Sequence, residues 1–103
     1  MVELGLFIRL EVRPGHESAV EEQLRKALSH VDEEPDTIVW MALRLGPTTY
    51  AIVDAFPHEA GRQAHLEAGR AGLAALTDHF TEPPQLVRTD VLAAKIPAAG
   101  QAA

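Results

Sequence analysis

Cysteine is absent from all 103 residues, which removes disulfides, thiolate nucleophiles and cysteine-based zinc sites together. Serine is confined to Ser18 and Ser29. Neither stands in a G-x-S-x-G elbow, so a serine nucleophile has no seat. Positive charge is scarce as well: nine Lys and Arg against fifteen Asp and Glu give a net charge of −6, with no basic cluster as a local exception. Binding to a phosphate backbone draws on counterion release by basic side chains, so nucleic acid is not an expected partner. No apolar run approaches the roughly 18 residues of a membrane span. The opening Met1-Val2-Glu3 leads into an alternating pattern and not into a basic, then unbroken apolar leader. A cytoplasmic chain with no membrane partner is the expectation.

What the chain does contain suffices for one core. With 47% hydrophobic and 23% charged residues the composition is that of a globular protein. A single domain is expected over residues 1–96, with a flexible tail of small residues at 97–103. Leu4, Leu6, Ile8, Leu10 and Val12 alternate with Phe7, Arg9, Glu11 and Arg13, the two-residue period of a strand, and Pro14-Gly15 stops it. From His16 the period lengthens. Val20, Leu24, Ala27, Leu28 and Val31 form one helical stripe, while Glu21 with Arg25 and Glu22 with Lys26 are four-apart pairs on the wet side. The acidic turn VDEEPD follows, ended by Pro35, which disfavours helical geometry in the residue before it.

Two β-rich runs, TIVWMALRL (37 to 45) and TTYAIVDAF (48 to 56), flank Gly46-Pro47, a spacing that suits an antiparallel hairpin. Pro57 fits the first turn of a helix that runs to about Leu66, is interrupted by Gly69 and Gly72, and resumes through Leu73, Leu76 and Phe80. QLVRTDVLAAKI (85 to 96) reads as the last strand. The order strand, helix, strand, strand, broken helix, strand is the split βαβ arrangement. It predicts an α+β, ferredoxin-like fold with a four-stranded antiparallel sheet and helices on one face. Both faces of the hairpin are apolar, Val39, Met41, Leu43 and Leu45 on one side and Ile38, Trp40 and Ala42 on the other. A second copy of the chain is the simplest cover for the face without helices, which predicts a homodimer through the sheet, a dimeric α/β barrel.

Five histidines raise the question of a metal. His58 and His65 are seven apart, on the order of 10 Å along a helix axis, too far to share one ion, and neither H-x-H nor H-x-x-x-H occurs. No metal is expected. The glycines at 61, 69 and 72 form no G-x-G-x-x-G; they break a helix or permit close packing. His65 is the position that stands out. Gly61, Ala64, Ala68 and Gly69 surround it where a core helix would carry leucines, and the space they leave beside an imidazole is the start of a pocket. Asp54, at the end of the preceding strand, is its plausible partner: a carboxylate orients an imidazole and raises its basicity, whether in a core or in a site. His16 and His58 open helices and are expected to be solvated, and His79 suits a helix C-terminus. Arg9, Glu11, Trp40, Arg44, Tyr50 and Asp54 lie on strands among apolar neighbours, and buried charges need either salt-bridge partners or a polar ligand.

The block EEPDTIVWMALRL…TYAIVDAFPHEAGRQAHL, with the opening LFIRLEVRPGHESAVEEQL and the later EPPQLVRTDVLAA, resembles the antibiotic biosynthesis monooxygenase domain family from about Leu6 to Ala94. The shared elements are a PG turn into the first helix, the strand end at Asp54 and Phe56, and Ala64-His65-Leu66 on the next helix. The resemblance implies a ferredoxin-like fold that dimerises through its sheets and holds a cavity between sheet and helices. It also implies, for some members, oxidation of polycyclic phenols to quinones by molecular oxygen without metal or flavin, the deprotonated substrate supplying the electrons. Other members degrade heme through an asparagine, a helical tryptophan and a histidine. This chain has no asparagine and its single tryptophan, Trp40, falls in a predicted strand, so heme degradation is not expected. Further relatives share the fold with no assigned activity. The function expected on these grounds is cofactor-independent oxidation of an aromatic or quinol-like small molecule. His65 is the proton acceptor, Asp54 orients it, Trp40, Tyr50 and Phe56 form the walls, and Arg9 or Arg44 stabilises an oxyanion. The alternative is a non-catalytic dimeric module of the same fold that binds a small molecule or serves as a scaffold.

Overall fold

The computed structural model describes residues 1–97, so the expected tail at 97–103 lies, from residue 98 onward, outside the described residues. The elements are β1 (Leu4–Glu11), α1 (Glu17–Val31), β2 (Val39–Arg44), β3 (Thr49–Phe56), α2 (Glu59–Ala75), a short 3-10 turn (Thr77–His79) and β4 (Gln85–Asp90). The sheet is antiparallel throughout, in the order β2-β3-β1-β4. Each helix therefore carries the chain across one intervening strand, α1 over β3 and α2 over β1. This is the α+β, split βαβ fold that the element order predicted.

The two-residue strand period decides what meets the helices. In β1 the inner side chains are Leu6, Ile8 and Leu10, in register with Asp54, Ile52 and Tyr50 of β3. Trp40, Ala42 and Arg44 of β2 pair with the same three residues of β3 and share that face. Ile8, Leu10, Val12, Tyr50 and Ile52 form the core with Val20 and Leu24 of α1 and with Leu76 and Phe80 beyond α2. Five or more apolar side chains removed from water, at about 1.5–3 kcal/mol each, are what hold α1 on the sheet. The outer face carries Phe7, Val39, Met41, Leu43, Val53 and Val87, and in the single chain Met41 is 47% and Val87 52% exposed.

Two elements differ from the expectation. α2 is continuous from Glu59 to Ala75, and Gly69 and Gly72 do not interrupt it. A helical glycine costs about 1 kcal/mol relative to alanine, and the alanines and leucines around these two are strong enough helix formers to carry the helix through. β4 stops at Asp90 and does not continue to residue 96. Among the described residues its only partner is β1, whose Leu4 already faces Asp90, so beyond a single Val91 N–H to Glu3 carbonyl bond of 2.9 Å no strand remains there to pair with.

Candidate functional site

The site begins with how α2 starts. Pro57 lies just before the helix, and His58 is its N-cap: the backbone N–H of Gly61 donates to His58 Nδ1 at 3.1 Å. Gly61 has no side chain for a reason of packing. A Cβ there would stand 2.7 Å from Asp36 Cβ, so only glycine lets the first turn of α2 close onto the acidic turn that follows α1. One helical turn later, on the same side of α2, comes His65. It therefore projects between that acidic turn and the inner face of β3.

The imidazole is held from both sides. Nδ1 lies 2.5 Å from Glu34 Oε1 in the acidic turn. Nε2 lies 3.0 Å from Asp54 Oδ2, in a direction that leaves both Asp54 oxygens without a hydrogen bond among the described residues. Asp54 is 2% exposed and His65 9% exposed. The Phe56 ring packs against the imidazole, with centroids 5.4 Å apart. A buried carboxylate that lacks a directed partner is costly, and a native fold that keeps one invites a functional account. Burial is the largest influence on Asp54 and pushes its carboxyl above the usual range; the imidazole pulls it partly back and the Glu34 charge pushes it further up. For His65 burial is again the largest single influence and would lower its pKa, but contacts with Asp54 and Glu34 together outweigh it and raise it. Two carboxylates and one imidazole thus stand along one line, with the imidazole between them.

A cleft of about 670 Å³ opens beside this line, between α1, α2 and the sheet. Ile8, Trp40, Ile52 and Leu86 form its floor, and His65 and Glu34 line it. Ala68, Gly69 and Gly72 line it from α2, and beyond the helix's own backbone and their chain neighbours no atom of the described residues lies within 4 Å of where a Cβ would stand on either glycine. The small residues of α2 thus leave the cleft open. Its volume falls in the range of small-molecule sites, roughly 300–1,000 Å³.

The other residues picked out in the sequence are spread more widely. Trp40 also lines a second cleft, of about 580 Å³, with Tyr50, Arg44 and Glu21. There Tyr50 donates its hydroxyl to Glu21 Oε2 at 2.5 Å, and Arg44 pairs with the same oxygen. Phe56 is wholly buried beneath His65 and lines neither cleft. Arg9 is on the outer face of the sheet, 3.0 Å from Glu11, and so lies away from both clefts. His16, expected to be solvated, and His79, expected at a helix C-terminus, meet with their Nδ1 atoms 2.9 Å apart. Glu34 was not singled out in the sequence, where it belongs to a run rich in acidic residues, and Glu21 stood out only as the wet-side partner of Arg25. The available signal for Glu34 was indirect, a glycine four residues before His65 that demands a close neighbour. Among the described residues no group of three His, Cys, Asp or Glu side chains is placed to hold a metal ion. Nor is any helix there long and apolar enough to cross a membrane.

No family model matches the chain. The solved structure of a protein of unknown function from Nitrosomonas europaea, NE2512, is 44% identical over 95% of this chain and 97% of that one, with a TM-score of 0.90. The chain belongs to the same family as NE2512. Its fold extends further. A provisionally named antibiotic biosynthesis monooxygenase from Nitrosomonas europaea matches at a TM-score of 0.80 and 19% identity, covering 87% of this chain and 90% of that one. Another such protein, from Caulobacter crescentus, matches at 0.79 and 18%, covering 89% and 92%. The fold is that of the antibiotic biosynthesis monooxygenases, as the sequence resemblance implied.

Proposed function

We propose that the larger cleft binds a small aromatic or quinol-like compound, and that the acid–base line built on Asp54 and His65 removes a proton from it so that molecular oxygen can oxidise the resulting anion without metal or flavin. The observation that carries this reading is the buried line of two carboxylates and an imidazole at the wall of an otherwise apolar cleft. Buried groups whose protons are shared serve general acid–base work at neutral pH. The proteins that share the fold and are named as antibiotic biosynthesis monooxygenases support a reaction with molecular oxygen. Trp40 and the aliphatic floor take the ring, and Phe56 fixes the imidazole from below. In the reaction proposed, a ring methylene activated by the neighbouring phenolate loses both hydrogens. One atom of O2 becomes the new carbonyl oxygen, the other leaves as water with those hydrogens, and the substrate supplies all the electrons.

Oxygen uptake by the purified protein over a panel of anthrones and hydroquinones tests this. Turnover of at least one compound is expected, with a fall of about 10²-fold or more in His65→Gln, the usual size of a general-base contribution. Equal rates in parent and variant on every active compound reject a part for His65 in removing the proton. Binding without any oxygen uptake would leave a binding module of the same fold.

The apolar outer face supports a second part of the reading, a homodimer that buries Phe7, Val39, Met41, Leu43, Val53 and Val87 against their own copies. Light scattering at micromolar concentration is expected to give the mass of two chains. A stable single chain rejects the dimer.

A further inference from the structure

The line Asp54–His65–Glu34 has two ends, and they differ in access. The Asp54 side chain is fully buried, while the side chains of His65 and Glu34 are 10% and 22% exposed. Both imidazole nitrogens already face carboxylates, so neither is free to meet a proton carried by a ligand. Glu34 differs. Its Oε1 takes two contacts, from the Thr37 hydroxyl at 2.7 Å and from His65 Nδ1 at 2.5 Å, while Oε2 has no hydrogen bond among the described residues. Glu34 lines the cleft and Asp54 does not. The turn that carries Glu34 is fixed in place by the close approach of Gly61 to Asp36.

We infer that Glu34 is the group that exchanges a proton with the ligand, and that His65 couples it to Asp54 as the store behind it. The inference rests on reading the cleft as a site for a phenol-like compound. In the step proposed, the phenol O–H bond breaks and its electron pair stays on the phenolate oxygen, while an O–H bond forms at Glu34 Oε2. With a small turn of the ring that brings Nε2–H into line across the 3.0 Å contact, the imidazolium hands that proton to Asp54 Oδ2, leaving His65 neutral with its Nδ1–H still donated to Glu34. Three protons and one net negative charge are conserved over the four groups. The coupling matters because a carboxylate beside an imidazolium is a weak base, and neutralising the ring restores its basicity. A buried acid with a raised pKa is well suited to receive the displaced proton. Lys26, His30, Glu33 and Arg70 also line the cleft. Lys26 pairs with Glu22 at 3.3 Å and Arg70 with Glu67 at 3.0 Å, so the rim cations are already engaged by carboxylates of their own helices.

The test uses 4-nitrophenol, whose neutral and ionised forms absorb differently, added to the parent protein and to Glu34→Gln, with Glu82→Gln as a surface control. At one pH unit below its free midpoint about a tenth of the phenol is ionised. Bound to the parent or to the control, more than about half is expected to be ionised at that pH. Bound to Glu34→Gln, the fraction should return to the free value. Should Glu34→Gln fail to fold, Glu34→Asp keeps the charge and withdraws it by one methylene, and an intermediate fraction is expected. Binding with the parent's ionised fraction in Glu34→Gln, or in Glu34→Asp where that variant stands in, overturns the role of Glu34 and leaves the reading of the cleft intact. Binding to the parent without added ionisation also overturns it. No binding by the parent removes the reading of the cleft and the inference together.

Discussion

The two clefts on the inner side of the sheet each hold a carboxylate from the α1 region, and they compensate it in opposite ways. Glu21 receives the Tyr50 hydroxyl, Arg44 and, at 3.5 Å, Arg25. These donors, the tyrosine first and Arg44 next, hold its carboxyl below the usual range. A guanidinium does not give up its proton in a protein, so this cluster is a fixed charge arrangement that ties β2 and β3 to α1. Glu34 shares with Asp54 a single imidazole, a donor that can lose its proton within the physiological range. The residue type that answers the carboxylate thus separates a structural cluster from one able to exchange protons, although the two lie on either side of the same Trp40.

The largest expected effect comes from removing the shared donor. His65→Leu leaves Asp54 buried and Glu34 half-buried with no cation between them. A loss of about 3–5 kcal/mol is expected, as for other buried pairs broken on one side. Adding Asp54→Asn to it should recover part of the loss, because the uncompensated charge goes. Arg44→Leu, at an exposed guanidinium, is expected to cost much less. Urea denaturation at neutral pH measures all three, and equal losses for His65→Leu and Arg44→Leu would erase the distinction between the clusters.

The next effect is the sign of the pH dependence. His65 is held above its ordinary value of 6.5, so its stabilising contribution is complete below that value and is lost as pH rises through the raised one. Asp54 is held above its ordinary 3.8, so folding favours its protonated form and stability again falls as pH climbs from 3.8 through the raised value. Glu21 acts the other way: held below 4.5, its contribution is present above that value and disappears as pH drops through the lower one. Stability of the parent should therefore decline as pH rises, above 3.8 for the Asp54 contribution and above 6.5, toward alkaline pH, for that of His65, by at most about 1.4 kcal/mol per pH unit for each proton involved. In His65→Gln with Asp54→Asn that decline should vanish while the acid limb persists. An unchanged alkaline slope in the double variant would show that Asp54 and His65 are not the source of the decline.

How far these clusters could be read in the sequence depends on what fixes each residue. Asp54 and His65 were legible as a pair because the strand period turns Asp54 inward and the small residues of α2 mark an open side beside His65. The same period already put Arg9 out of phase with the inward leucines of β1, which is where the structure places it. Glu34 was not legible. Asp32, Glu33, Glu34 and Asp36 look alike in a turn, and only the contact that Gly61 permits with Asp36 decides which of them meets the imidazole. The continuity of α2 was missed because two glycines are strong local signals while the helical preference of their neighbours is spread over many residues. The end of β4 is set by where β1 begins, a constraint between distant segments that no local pattern carries.

The smallest expected effect tests the structural cluster from its neutral side. Tyr50 is 2% exposed and its ring belongs to the core, so Tyr50→Phe keeps the packing and removes only the hydroxyl given to Glu21. A loss of about 0.5–1.5 kcal/mol is expected, the net worth of one hydrogen bond. Glu21 retains Arg44 and Arg25, so its charge stays compensated. Because the tyrosine hydroxyl is the first cause of the low Glu21 pKa, the acid limb of the stability curve should become shallower. The alkaline decline belongs to Asp54 and His65 and should keep its slope. Urea midpoints of Tyr50→Phe at acidic, neutral and alkaline pH check both halves, and a change on the alkaline side would mean that the two clefts are coupled through Trp40 and do not act as separate clusters.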